Sequence, residues 1–115
     1  MEIKEIEAVI EGLLFASGDA LSLERIAEIL EVDKKTVRLI IQNMIDDYTS
    51  KGRGIIIREI DGSYQMCTRP EHHDYLCALF EPRQKQGLSQ AALEVLAIIA
   101  YNQPVTRGAI EQIRG

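Results

Sequence analysis

The chain has 115 residues, 46% of them hydrophobic and 27% charged, which is enough apolar material for a core and too much for a disordered segment. Its net charge of −5 is concentrated before Pro82, where nine Lys and Arg stand against sixteen Asp and Glu. That is the wrong sign for a free-standing nucleic-acid binder, whose affinity rests on neutralising phosphates. Two cysteines, Cys67 and Cys77, are too few for a secreted disulfide scaffold, no basic-then-apolar leader follows Met1, and no apolar run approaches the ~18 residues of a membrane span. A cytosolic protein with reduced thiols is expected.

Ile3, Ile6, Val9, Ile10, Leu13 and Leu14 recur at helical steps with Glu2, Glu5, Glu7 and Glu11 between them. This predicts an amphipathic first helix of about four turns, stopped at Gly18 and Asp19. Ser22 is placed to cap a second helix carrying Leu23, Ile26, Ala27, Ile29 and Leu30, with Glu28 and Glu31 facing water. Asp33 is placed to cap a third, whose stripe is Val37, Ile41, Met44, Ile45 and Tyr48, with Leu39 and Ile40 outside it. The link Glu31-Val32-Asp33 is short and the third helix opens on Lys34, Lys35 and Arg38, the outline of a helix-turn-helix.

After Lys51-Gly52-Arg53-Gly54 the period changes. Residues 55–60 and 64–68 are rich in β-branched and aromatic side chains and flank Asp61-Gly62, the pair favoured by a type I′ hairpin turn. Three helices followed by a hairpin make a winged helix-turn-helix, so the fold class is mainly α with a β-hairpin. Pro70 closes the second strand, residues 71–80 are predicted as a fourth helix, and Pro82 through Gly87 are polar enough for a linker. Ser89 would cap a further helix with Leu93, Leu96, Ala97, Ala100 and Tyr101 on one stripe; Pro104 ends it, and Thr106 opens a short helix bearing Ile110 and Ile113. Two helices of this size cannot bury that much apolar surface by themselves, so the chain is expected to be a piece of a longer protein.

On an exposed face of the third helix Lys35, Arg38, Leu39, Gln42 and Asp46 share helical spacing, with Arg53 and Arg58 near the wing. Lys35, Arg38 and Gln42 could contact phosphate or a base edge, as in a winged-helix DNA-binding transcription regulator. Asp46, Asp47 and Leu39 work against this, and a solvated helix face is the competing reading. Cys67, His72, His73 and Cys77 fall within eleven residues. Neighbouring helical histidines point about 100° apart and Cys67 lies on a strand, so free cysteines are expected and no metal. Lys51-Gly52-Arg53-Gly54 lacks the Lys-Ser/Thr of a phosphate loop and precedes a strand, and no nucleophile and base stand at a recognisable spacing. Neither an enzyme nor a cofactor is expected. The first wing strand places isoleucine on both faces, although only one can lie on its own core. Leu39 and Ile40 similarly fall outside the stripe of the third helix. Either the fourth helix covers the second face of the wing through Tyr75, Leu76, Leu79 and Phe80, or this surplus apolar surface is a subunit interface, for which Leu39, Ile56 and Ile60 are the candidates.

Three stretches resemble the segregation and condensation protein B family, ScpB. They are residues 7–17 (Glu-Ala-Val-Ile-Glu-Gly-Leu-Leu-Phe-Ala-Ser); Gly62-Ser63-Tyr64-Gln65 leading to Thr68-Arg69-Pro70-Glu71; and residues 88–115, where Leu-Ala-Ile-Ile-Ala-Tyr-Asn-Gln-Pro-Val-Thr-Arg is followed by Ile-Arg-Gly. The last is the most specific. The resemblance implies two winged-helix domains in the full protein, of which this chain would hold the first (1–82), a linker (83–88) and the first two helices of an incomplete second (89–115). It also implies a homodimer formed through the first domains, and binding of the kleisin ScpA, chiefly through the second domain, with ScpA bridging to the SMC ATPase. The implied role is non-enzymatic: a docking subunit in bacterial chromosome condensation and segregation during cell division, cytoplasmic and tied to the nucleoid through its complex. Kleisin binding by this chain is expected to be impaired, since half of the second domain is absent.

Overall fold

In a computed structural model, which describes residues 1–81, the first apolar stripe folds as α1 (Ile3–Ser17) and buries Ile6, Ile10 and Leu14 at steps of four. Gly18 ends it at φ 70°, a left-handed conformation that a side chain resists. Ile3, in the first turn, stays 63% exposed. α2 (Leu23–Leu30) begins at Ser22, whose Oγ accepts from the Arg25 amide at 3.1 Å. Leu23, Ile26, Ala27 and Leu30 are buried, whereas Ile29 is rotated out of the stripe by one residue step of about 100° and is exposed.

Glu31 ends α2 in the left-handed region, at φ 56°, which turns the chain within three residues into α3 (Lys34–Ser50). The Asp33 carboxylate caps α3, accepting from the Thr36 amide at 3.0 Å and the Thr36 hydroxyl at 2.7 Å. α3 packs against α1, against α2 and against the first wing strand, so its buried arc is wider than a single stripe. This draws Ile40 into the core beside Val37, Ile41, Met44 and Tyr48, correcting its expected place outside, and leaves Ile45 half-buried.

The hairpin consists of β2 (Ile55–Ile60) and β3 (Ser63–Thr68), with Ile57 opposite Met66 and Ile60 opposite Ser63. Asp61 and Gly62 close it at φ 47° and 80°, both positive as a type I′ turn requires. A third strand that periodicity did not reveal, β1 (Leu21–Ser22), pairs with the free edge of β3, giving the antiparallel order β1-β3-β2. The Leu23 amide donating to the Gly62 carbonyl at 3.0 Å holds α2 to the wing turn. Ile10, Leu14, Ile26, Val37, Ile41 and Tyr64 are the side chains sealed between the helices and the sheet. The order helix, strand, helix, helix, strand, strand is a winged helix: mainly helical, with a small antiparallel sheet.

Pro70–His72 form a 3₁₀ turn, so α4 (His73–Phe80) starts two residues later than the pattern suggested. None of its residues is buried; Tyr75 is 79% and Leu79 72% exposed, so these two do not cover the outer face of the wing. The expected linker at 83–88 and the helices after Ser89 lie outside the described residues.

Candidate interaction surfaces

Arg69 builds the corner where α3 meets the wing. It follows β3, and its side chain, 12% exposed, turns back onto the last turn of α3. Nη2 donates to the Tyr48 and Thr49 carbonyls at 3.0 Å each, and Nε donates to the Arg53 carbonyl. Nη1 lies 3.5 Å from Glu71. The carbonyls at a helix end have no partner within the helix, and a guanidinium supplies both donors and the positive charge that this end favours. Loop residue Arg53 in turn places its guanidinium 5.0 Å from the centre of the Tyr48 ring. The Tyr48 hydroxyl donates to Glu11 on α1. One continuous set of contacts therefore fixes α1, α3 and the lead into β2. Arg53, expected near the wing, is engaged with this ring.

Beside that corner a groove of about 480 Å³ runs between α1 and the start of the wing, lined by Gly12, Phe15, Ile55 and Met66 with Glu11, Tyr48 and Arg53 at its rim. Phe15 is 59% exposed. A smaller polar pocket continues it past Ala8, between Glu7, Glu11 and Asp47. Neither Arg69 nor this groove was singled out by the sequence pattern. The signal available for Arg69 was its place in the Thr68-Arg69-Pro70-Glu71 motif.

The candidate contact residues of α3 face outward. Lys35, Arg38, Leu39 and Gln42 are all exposed on α3. Nearby cations pair with carboxylates: Lys34 lies 3.9 Å from Glu24 and Arg25 2.6 Å from Glu28. On β2, Ile56, Arg58 and Ile60 share the face opposite the buried Ile57, with Ile56 half-buried across from Cys67 and Ile60 exposed. The three interface candidates thus belong to two elements, Leu39 to α3 and Ile56 with Ile60 to the outer face of the wing. Cys67 is buried on that outer face, and its burial pushes the thiol pKa up, an effect Arg58 partly offsets.

Of the four candidate metal ligands, the structure brings two together: His73 Nε2 lies 3.6 Å from Cys77 Sγ, one turn along α4. His72 sits against the Tyr75 ring at 6.5 Å. Among the described residues no three His, Cys, Asp or Glu side chains form a cluster that could hold a metal ion.

The helix-strand-helix-helix-hairpin order defines a winged-helix protein, one that leaves large apolar side chains exposed. Comparison with known proteins narrows this: the family model for the segregation and condensation complex subunit ScpB matches residues 8–115, and the chain belongs to that family. It is 64% identical to segregation and condensation protein B of Ruminiclostridium cellulolyticum, over the whole chain and 60% of that protein. It is 58% identical to the corresponding protein of Acetivibrio thermocellus, over the whole chain and 59% of that protein. The chain thus spans about 60% of the length of the curated relatives it matches. Among solved structures, ScpB from Mycobacterium tuberculosis is 31% identical with a TM-score of 0.70, covering 100% of this chain and 72% of that one. A dimer of the ScpB N-terminal domain complexed with a ScpA peptide is 38% identical with a TM-score of 0.64, covering 67% of this chain and 96% of that one. No helix among the described residues is long and apolar enough to cross a membrane.

Proposed function

We propose that this chain is a non-enzymatic docking subunit of a bacterial SMC–kleisin complex. It pairs with a second copy through residues 1–82 and binds the kleisin ScpA, and through it the SMC ATPase, in chromosome condensation and segregation. Residues 83–88 act as a linker and 89–115 open a second winged helix; the protein works in the cytoplasm, at the nucleoid through its complex. The observation that supports this best is the likeness to a dimeric ScpB N-terminal domain complexed with a ScpA peptide, nearly all of which this chain covers. That likeness also gives the first domain a share of the kleisin contact, beyond the second-domain role that the resemblance alone implied. Leu39, Ile56 and Ile60 are the proposed self-association residues, as exposed or half-buried apolar side chains outside the core.

Light scattering on a size-exclusion column, for this chain and for a version ending at Pro82, tests the reading. Two dimers place self-association in the first domain. Two monomers overturn the homodimer, and a dimer of the longer chain alone assigns association to residues after 82.

A further inference from the structure

Two helices of equal length are held in opposite ways. α2 and α4 each have 8 residues. α2 buries Leu23, Ile26, Ala27 and Leu30, takes Ser22 as its cap and closes at Glu31, whose amide donates to the Ala27 and Glu28 carbonyls. α4 buries none of its residues, and no side chain caps its first turn. A helix this short is marginal in water by itself, so α4 depends on what it packs against. That packing is a single stripe: His73, Leu76, Cys77 and Phe80 are half-buried, while Asp74, Tyr75, Ala78 and Leu79 are exposed. The His73–Cys77 and His72–Tyr75 contacts lie within the segment and tie it to nothing else.

Arg69 marks where the firmly held chain stops. It stands at the cap position of the 3₁₀ turn that leads into α4, in extended backbone, and makes no side-chain cap there. Its guanidinium turns instead to the Tyr48 and Thr49 carbonyls at the end of α3. The residue that starts the last helical segment is thus used to finish an earlier helix, a local choice at odds with the stability of α4. Up to Arg69 the chain is fixed to the core. From Pro70 through α4 no side chain is buried to hold it.

We infer that residues 70–81 form a detachable strap, which opens about Arg69 while the winged-helix core stays folded. Closed, α4 spans about 12 Å. Open, the freed residues reach up to roughly 40 Å. With residues 83–88 as a linker, as proposed above, opening lengthens the tether between the winged helix and residues 89–115; the opening itself does not depend on that reading. The test is native-state amide hydrogen exchange of the whole chain, followed residue by residue at low urea. The amides of residues 77–80, which close the turns of α4, are compared with those of 27–30 in α2. Both sets are expected to be protected relative to an unstructured chain, the α4 set at least about a hundredfold less. Only the α2 set should respond steeply to urea, since opening the strap exposes little surface. Ile26, fully buried in α2, gives the deciding variant. Ile26→Val is expected to speed exchange at 27–30 severalfold and to leave 77–80 unchanged, because the core is intact when the strap opens. Phe80→Ala should speed both sets alike, because unfolding the core also releases the strap; alanine is the better helix former, so the effect reports lost packing. If Ile26→Val speeds 77–80 as much as 27–30, α4 opens only with the core. If 77–80 exchange as an unstructured chain does, there is no closed strap; either result overturns the inference. A monomeric mass or a failure to bind ScpA would sink the proposed function and leave the strap standing.

Discussion

Gly12 and Gly62 are both exposed glycines, and their backbones give them opposite roles. Gly62 completes the hairpin turn at φ 80°, so Gly62→Ala strains the wing and is expected to cost about 1 kcal/mol. Gly12 has open space and no positive φ, so Gly12→Ala is expected to add up to ~1 kcal/mol. Urea unfolding of the two variants should move the midpoint in opposite directions; the same direction for both would sink this account. Asp33 supplies a pH-dependent case. Its carboxyl is held below the ordinary value of 3.8, first by the Thr36 hydroxyl and then by the Thr36 amide. A folded pKa below the unfolded one contributes stability that is fully present above the unfolded value and is lost as pH falls through the folded one. The melting-temperature gap between the natural chain and Asp33→Ala should therefore be constant near neutrality and close in acid, below the ordinary aspartate range. A gap that persists at the lowest pH would assign the effect to helix propensity instead.

Between elements, the contact with the most consequence is Arg69 on the α3 terminus. Arg69→Ala leaves the Tyr48 and Thr49 carbonyls without their charged donor and should cost roughly 1.5–3 kcal/mol. Arg69→Lys keeps the charge without the planar fork and should recover only part of that in the same unfolding experiment; full recovery would reduce the role to charge alone. How much of the fold could be read in advance follows from the range of the interactions. Ser22, Asp33, Gly18 and Asp61-Gly62 act on backbone within a few residues, so each helix and the wing turn were legible. β1 is two residues long and has no period to read; it exists because β3 offers an edge. Ile40 was misplaced because three packing partners of α3 widen its buried face, which a single-helix pattern cannot express. Tyr75 and Leu79 read as a cover for the wing, yet apolar content states a demand for burial without naming the partner. For the candidate surfaces, the exposure of Leu39 and the outer position of Ile56 and Ile60 were legible from local spacing. The groove was not, because its walls Phe15 and Ile55 meet only once the sheet has folded beside α1.

At the scale of the whole molecule, the charges weigh against the function that a helix-turn-helix most readily suggests. The net charge is −5, and the cations of the first domain are largely engaged. Lys34, Arg25 and Lys51 lie within 4 Å of Glu24, Glu28 and Asp47; Arg53 is over the Tyr48 ring; Arg69 is spent on carbonyls. On α3 and the wing, among the described residues, this leaves Lys35, Arg38 and Arg58 without an ion pair. Three phosphate contacts would give a slope of log affinity against log salt of about −3, against roughly −5 to −9 for a duplex binder making 6–10 contacts. Such a contact set, opposed by Asp46, Asp47 and the excess of carboxylates, is expected to be too weak to hold a duplex at physiological salt. A linear duplex is therefore expected to migrate unretarded in gel electrophoresis at micromolar protein and physiological salt, and Lys35→Ala, Arg38→Ala should leave any low-salt association with ScpA unaltered. A retarded band that survives physiological salt, fades steeply above it and is abolished by the same two substitutions would instead return α3 to the role of a DNA-reading helix, with Gln42 beside it as the base contact.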